Sequence, residues 1–104
     1  MQFLSRIEEI LLLAIWKLEN NAYGISIRKQ VEKDTGKKWL SGAIYGPLSR
    51  LRKNGYVKTS IDENPSDQPG RPRIYYTLTP LGKKKLQSIQ ALNRTMWANV
   101  PEVK

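Results

Sequence analysis

The side chains that could do chemistry in this chain are few and of two kinds. Ser49, Arg50 and Lys53 fall within one short stretch, and Arg71 and Arg73 follow within another. Hydroxyls and cations in this spacing suit hydrogen bonding and ion pairing with an anion, not bond making. A catalytic reading finds little to use. There is no histidine and no cysteine, which removes imidazole bases, thiolate nucleophiles and the usual zinc ligands. The carboxylate pairs Glu8/Glu9 and Asp62/Glu63 are adjacent in sequence, so their side chains point apart. Gly70-Arg71-Pro72-Arg73 has the glycine of a phosphate loop but lacks the helix that must follow it. No catalytic residue, metal or cofactor is expected.

The charge balance says what kind of anion. Lys and Arg number 18 against 9 Asp and Glu, a net charge of +9 on 104 residues. Such a surplus favours a polyanion or an anionic membrane surface as partner. No run of roughly 18 apolar residues is present, so no membrane span is expected. The apolar run near the N-terminus is preceded by two acids and is followed by no small-residue cleavage site, unlike a signal peptide. A small, basic, cytoplasmic domain is the expectation. Its core is small enough that association with a second copy would help it.

The element that must hold Ser49, Arg50 and Lys53 is a helix from Ser41 to Gly55. Ser41 is its expected N-cap, and Asn54-Gly55 its stop with glycine in the left-handed position. Ile44, Leu48 and Leu51 form one apolar stripe. The opposite face carries Gly42, Gly46, Ser49, Arg50 and Lys53. That face is bare at its N-terminal end and cationic at the other, so it can approach a groove closely and reach phosphates. Tyr45 lies about 100° from the stripe centre, at the boundary. An ordinary amphipathic helix with a solvated basic face is the competing explanation.

Helix 1 is expected from a Ser5/Glu8 capping box to about Glu19. Its segment Ile10–Trp16 is apolar on every side, which predicts burial on every side. One side then faces its own core and the other a partner chain. Asn20-Asn21-Ala22 is a turn, and helix 2 spans Tyr23-Gly24 to Thr35-Gly36 with Ile27 and Val31 buried. Lys37–Leu40 is an extended connector. Two helices with the second offering a polar face make a helix-turn-helix. Two alternating strands follow, with Val57, Thr59 and Ile61 on one side of the first and Ile74, Tyr76 and Leu78 on one side of the second. Between them lies a Pro/Gly-rich tip bearing Arg71 and Arg73, for which contact with the minor groove or its phosphates is expected and a salt bridge to Asp67, the one acid nearby, is the alternative. Thr79-Pro80 starts helix 4, expected to reach about Asn99, with a stripe of Leu86, Ile89, Leu92, Met96 and Val100 and Trp97 at its edge. Lys83–Lys85 is a solvated face.

The fold class expected is mainly α with a small β hairpin. Residues 1–79 form a winged helix-turn-helix and 80–104 a C-terminal dimerisation helix and tail. Ile7, Leu11, Leu86, Ile89, Met96 and Val100 are the expected dimer residues. Such a dimer sets two recognition helices about 34 Å apart, which calls for an inverted-repeat site on double-stranded DNA. A winged-helix module for a protein partner, or a nucleic-acid binder without sequence preference, is the alternative.

From Glu9 to about Leu86 the chain resembles the PadR-like transcriptional regulators. The resemblance rests on Ile10-Leu11, on Tyr23-Gly24-x-x-Ile27, on Gly42-Ala-Ile-Tyr45 with Leu48-x-Arg50-Leu51, and on Gly55-Tyr-Val57. Its longest motif is Gly70-Arg-Pro-Arg-x-Tyr-Tyr76-x-Leu-Thr79-x-x-Gly82. The single helix after Thr79 is similar to the small subtype. The resemblance implies a dimeric DNA-binding regulator, a repressor, with Tyr23, Ser41, Tyr45, Ser49, Arg50, Lys53, Arg71 and Arg73 at the DNA. In the small subtype an aromatic residue on the last helix can bind flat apolar ligands across the dimer, which makes Trp97 and Met96 the candidate place for a small hydrophobic or aromatic effector, with simple dimer packing as the competing explanation; the resemblance names no effector. Many members have proline directly after the recognition-helix tyrosine, where this chain has Gly46 and then Pro47, so base readout is not carried over.

Overall fold

Local signals set most of the element ends in the computed structural model, which describes residues 3–104. Helix α1 (Arg6–Leu18) begins at the Ser5 cap, where the Glu8 N–H donates to Ser5 Oγ at 3.3 Å and the Ser5 N–H donates to Glu8 Oε1 at 2.9 Å. A single turn of 3-10 helix (Glu19–Asn21) leads to α2 (Gly24–Thr35), closed by Gly36 with φ 71°. Helix α3 (Ser41–Lys53) ends with the Gly55 N–H donating to the Arg52 carbonyl and the Tyr56 N–H to the Leu51 carbonyl, both at 3.0 Å. Gly55 takes φ 81°, the conformation this helix stop requires. Strands β1 (Val57–Asp62) and β2 (Arg73–Leu78) form an antiparallel hairpin in which Val57 opposes Leu78 and Asp62 opposes Arg73. Helix α4 (Pro80–Trp97) completes the winged helix-turn-helix and its C-terminal helix.

Helix α1 lies at the centre and touches α2, α3, β2 and α4. Leu11, Leu12, Ala14 and Ile15 are buried there with Ile27 and Val31 of α2, Ile44, Leu48 and Leu51 of α3, and Val57 and Leu78 at the hairpin base. Each fully buried Leu or Ile contributes about 1.5–3 kcal/mol relative to exposure. The start of α4 is clamped to the end of α3. Thr79 Oγ1 accepts from the Gly82 N–H at 3.0 Å and donates to the Gly55 carbonyl at 2.6 Å. The Thr79 N–H donates to the Tyr56 carbonyl at 3.1 Å. Gly82 has no room for a Cβ, which would run into that same Tyr56 carbonyl oxygen.

Several expectations are corrected here. Ser41 is the first helical residue of α3, not its N-cap; Leu40 holds the cap position with extended backbone and no side-chain capping bond. Leu11 is fully covered within its own chain, because it lies on the side of α1 that meets the core. The outward residues of α1 are Leu13 and Trp16 instead, 41% and 51% exposed. Ile61 and Ile74 keep the strand alternation yet are exposed, since the hairpin projects beyond the core that covers Val57 and Leu78. Val100 lies past the end of α4, which stops at Trp97, so it is not part of the helical stripe.

Candidate nucleic-acid interface

The buried stripe of α3 fixes which side chains turn outward. Ile44, Pro47, Leu48 and Leu51 are buried, so Ser41, Gly42, Tyr45, Gly46, Ser49 and Lys53 form an exposed face. Pro47 thus faces the core, not the open side. A Cβ on Gly42 would meet open space, so the first turn of the face carries no bulk at that point. Arg50 was expected on this face and is partly drawn off it. Its Nε lies 3.8 Å from Glu8 Oε2, whose side chain is 11% exposed, so it serves as counter-ion to a carboxylate held against α1.

Tyr45 belongs to this face and is seated on α2. Its phenol end lies on Gly24, where an added Cβ would collide with the hydroxyl. This contact links the Tyr23-Gly24 and Tyr45 motifs, since glycine at the start of α2 lets the phenol rest there and a larger residue would push the ring aside. Tyr45 also neighbours Tyr76 on the hairpin. Burial pushes the Tyr76 hydroxyl pKa up, Tyr45 adds to that, and the Arg52 guanidinium pulls it back. Arg52 is therefore directed to the same side. It is exposed and was not singled out from the sequence, although its spacing of seven from Tyr45 places the two on one helix face.

The wing separates its two arginines. Arg71 is exposed; its backbone N–H donates to the Gln68 carbonyl at 3.2 Å, and among the described residues its side chain has no partner. Arg73, expected beside it at the DNA, is turned inward with a side chain only 10% exposed. Its guanidinium donates to both oxygens of Asp67 at 3.0 and 3.1 Å and lies 4.0 Å from the centre of the Tyr23 ring. The planar fork of arginine suits both contacts at once. A longer bond of 3.4 Å reaches the Tyr75 hydroxyl. The Arg73 hydrogen bond holds the Asp67 carboxyl below its ordinary value, with desolvation opposing it.

Tyr23 is likewise a support for the wing. It pairs with Tyr75 as an isolated antiparallel bridge, the two rings meet edge-on at 5.6 Å, and the Tyr76 N–H donates to the Ala22 carbonyl at 2.8 Å. Tyr23 is half-buried as a result. A groove of about 240 Å³ runs between the start of α2, Tyr45 and the wing, lined by Tyr23, Gly24, Gln68, Arg73 and Tyr76 among others. Its walls offer tyrosine hydroxyls and the Gln68 amide, and its one cation, Arg73, is already held by Asp67. Among the described residues no group of three acids could hold a metal ion.

A second surface lies on the far side of α1. Leu13, Trp16, Leu78, Leu86 and Ile89 line a groove of about 530 Å³ between α1 and α4. Beyond it Leu92, Met96 and Trp97 are exposed on α4, the last two at 62% and 65%. Ile7, Leu86 and Ile89 are half-buried against their own chain. No helix among the described residues is long and apolar enough to cross a membrane.

Comparison with known proteins gives this architecture a family. No curated protein matches the chain. A PadR family transcription regulator from Clostridium difficile aligns with a TM-score of 0.74 and 26% identity, over 88% of this chain and 91% of that one. A PadR-like transcription factor from Bacteroides fragilis aligns at 0.70 and 29%, over 86% and 85%. A PadR-like transcriptional regulator from Bacillus cereus has the same fold at 0.73 and 23%, over 94% and 93%. The profile of the transcriptional regulator PadR-like family matches residues 12–88, and with the winged helix and its open α3 face the chain belongs to that family of DNA-binding transcription regulators, which are not enzymes.

Proposed function

We propose that the chain is a repressor that binds an inverted-repeat operator as a homodimer. The observation that carries the DNA half of this reading is the face of α3. Ser41, Gly42, Tyr45, Ser49 and Lys53 lie open on one side of it, in a chain of net charge +9. In a major groove, Ser49 would meet base edges or phosphate, Lys53 and Arg52 the backbone, and Arg71 on the wing the adjoining minor groove. Arg50 and Arg73 contribute by holding Glu8 and the wing.

The dimer half rests on the apolar surface of α1 and α4. Leu13, Trp16, Leu92, Met96 and Trp97 are exposed in the single chain, and a patch of this kind marks an association surface. Residues 1–79 then act as the DNA-binding unit and 80–104 as the dimerisation element. Two-fold pairing through α1 and α4 sets two α3 helices on successive turns of one DNA face. Release by a flat aromatic effector would act at Met96 and Trp97, which stand next to each other at the end of α4. Quenching of Trp97 fluorescence by such a compound, lost in Trp97→Ala with the dimer intact, is the expected sign.

The deciding experiment is selection of DNA from a random pool, followed by competition against random DNA at raised salt. A sequence-specific dimer keeps one inverted-repeat complex. Equal loss on all sequences would make this a shape-reading binder, and absence of DNA binding a protein-interaction module. Repression is tested separately, by transcription from a promoter carrying the selected site. Sedimentation showing a monomer at micromolar concentration would refute both the dimer and the effector cleft.

A further inference from the structure

Leu40 breaks a local rule without any return inside its own chain. It occupies the N-cap of α3 with φ −72° and ψ 151° and makes no side-chain capping bond. Ser, Thr, Asp or Asn at that position would satisfy an orphan amide, which leucine cannot do. Nor does it join the core: it is 84% exposed, the most exposed of the large hydrophobic residues described. A position that sacrifices helix capping for a solvated apolar side chain is the kind of local inconsistency that marks a functional residue.

Its surroundings say what partner fits. Lys37 and Lys38 precede it and are exposed, and Ser41 and Gly42 follow it on the open face of α3. Next to Gly42 there is open space, so nothing stands between the leading turn and an approaching surface. One apolar group set among cations is too little for a lipid surface or a protein patch, which take several such groups together. It matches a polyanion with an isolated apolar group on its floor. In the major groove that group is the 5-methyl of thymine.

We propose that Leu40 is a specificity-determining residue that meets the 5-methyl group of one thymine in each operator half-site. This rests on the DNA-binding reading of α3. The test uses the full chain and the operator selected by the wild type from a random pool. Each thymine is replaced in turn by deoxyuridine, which removes the methyl group and nothing else. The expected result is one position per half-site where affinity falls by about three- to fivefold, the factor for burying one methyl group. Leu40→Ala should bind the thymine operator more weakly and be indifferent to uracil at that position, while keeping wild-type responses elsewhere. Leu40→Ser should behave in the same way, and its hydroxyl secures the helix start. A selected operator with no uracil-sensitive thymine overturns the proposal, and so does sensitivity that persists in both variants. Failure of the wild type to select any DNA overturns the DNA-binding reading itself, and this proposal with it.

Discussion

Gly82→Ala offers a sharp test of how α4 is attached, because helix propensity and packing pull in opposite directions. Alanine at this third helical position gains about 0.8–1 kcal/mol over glycine from propensity alone. Against that, the added methyl would run into the Tyr56 carbonyl oxygen, a backbone atom that cannot swing aside. Overpacking of this kind costs about 1–3 kcal/mol. Relief requires α4 to lift, and lifting strains two bonds of the clamp, from the Thr79 N–H to Tyr56 at 3.1 Å and from the Thr79 hydroxyl to Gly55 at 2.6 Å. Each is worth about 0.5–1.5 kcal/mol. The net expectation is a loss of roughly 1–5 kcal/mol, or a fall in Tm of at least about 5 °C for a domain of this size. The assay is thermal unfolding by circular dichroism at one fixed protein concentration, since association itself raises Tm. Gly42→Ala is the matched control. It adds the same methyl to a helix where nothing lies within 4 Å, and should gain about 0.5–1 kcal/mol. If Gly82→Ala melts at or above the wild type, the close approach of α4 to Tyr56 is not what requires glycine.

Arg71→Ala should weaken binding to all DNA sequences and lower the salt dependence by about one unit of slope, with Tm unchanged; an unaltered slope removes it from the interface. Arg73→Ala should instead loosen the wing, seen as faster amide exchange at residues 73–75, because its guanidinium holds Asp67 and the Tyr23 ring. The Asp67 carboxyl is depressed chiefly by its hydrogen bond from Arg73, so its contribution is present above the ordinary carboxylate pKa and is lost as pH falls through the lower folded value. Carbon-13 titration should show that midpoint below the value of a free aspartate and return it upward in Arg73→Gln; a midpoint unmoved by the substitution refutes the pairing. Trp16→Glu and Met96→Glu place charge on the exposed faces of α1 and α4, and each should give monomers that no longer hold operator DNA. Dimers by sedimentation in both variants would locate the interface elsewhere.

What could be read from the sequence follows from how local each signal is. Ser5 with Glu8, Asn54-Gly55 and Thr79-Pro80 carry their own geometry within four residues; the first and last start helices and the middle one ends a helix, each where expected. The apolar run in α1 predicted two buried sides but not which residues face which, since a helix apolar all round has no phase. That is why Leu11 was placed outward, where Leu13 and Trp16 are. Strand alternation placed Ile61 and Ile74 on the inner face correctly, but alternation says nothing about how far the core extends along a hairpin. Arg71 and Arg73 look equivalent in a string of letters. What separates them is the fold of the tip, which brings Asp67 and Tyr23 to Arg73 and neither to Arg71. Arg50 is drawn to Glu8 by a contact across 42 residues that no local pattern encodes.

The central place of α1 also bears on how the chain is made. Helix α1 is made before the elements that pack on it: Leu11, Leu12 and Ile15 share the core with residues of α2 and α3 and, last, with Leu78 of β2. Until those elements have followed, the apolar segment of this helix lacks its full cover. Glu8 and Glu9 before it and Lys17 near its end are the charges that flank it during this interval, in the manner of residues that keep an unavoidable hydrophobic stretch from self-association. Replacing Glu9 by a neutral polar residue should lower the yield of soluble protein, whereas replacing Glu8 would also remove its half of the Ser5 capping box and the Arg50 ion pair, and replacing Lys17 the pair with Asp34.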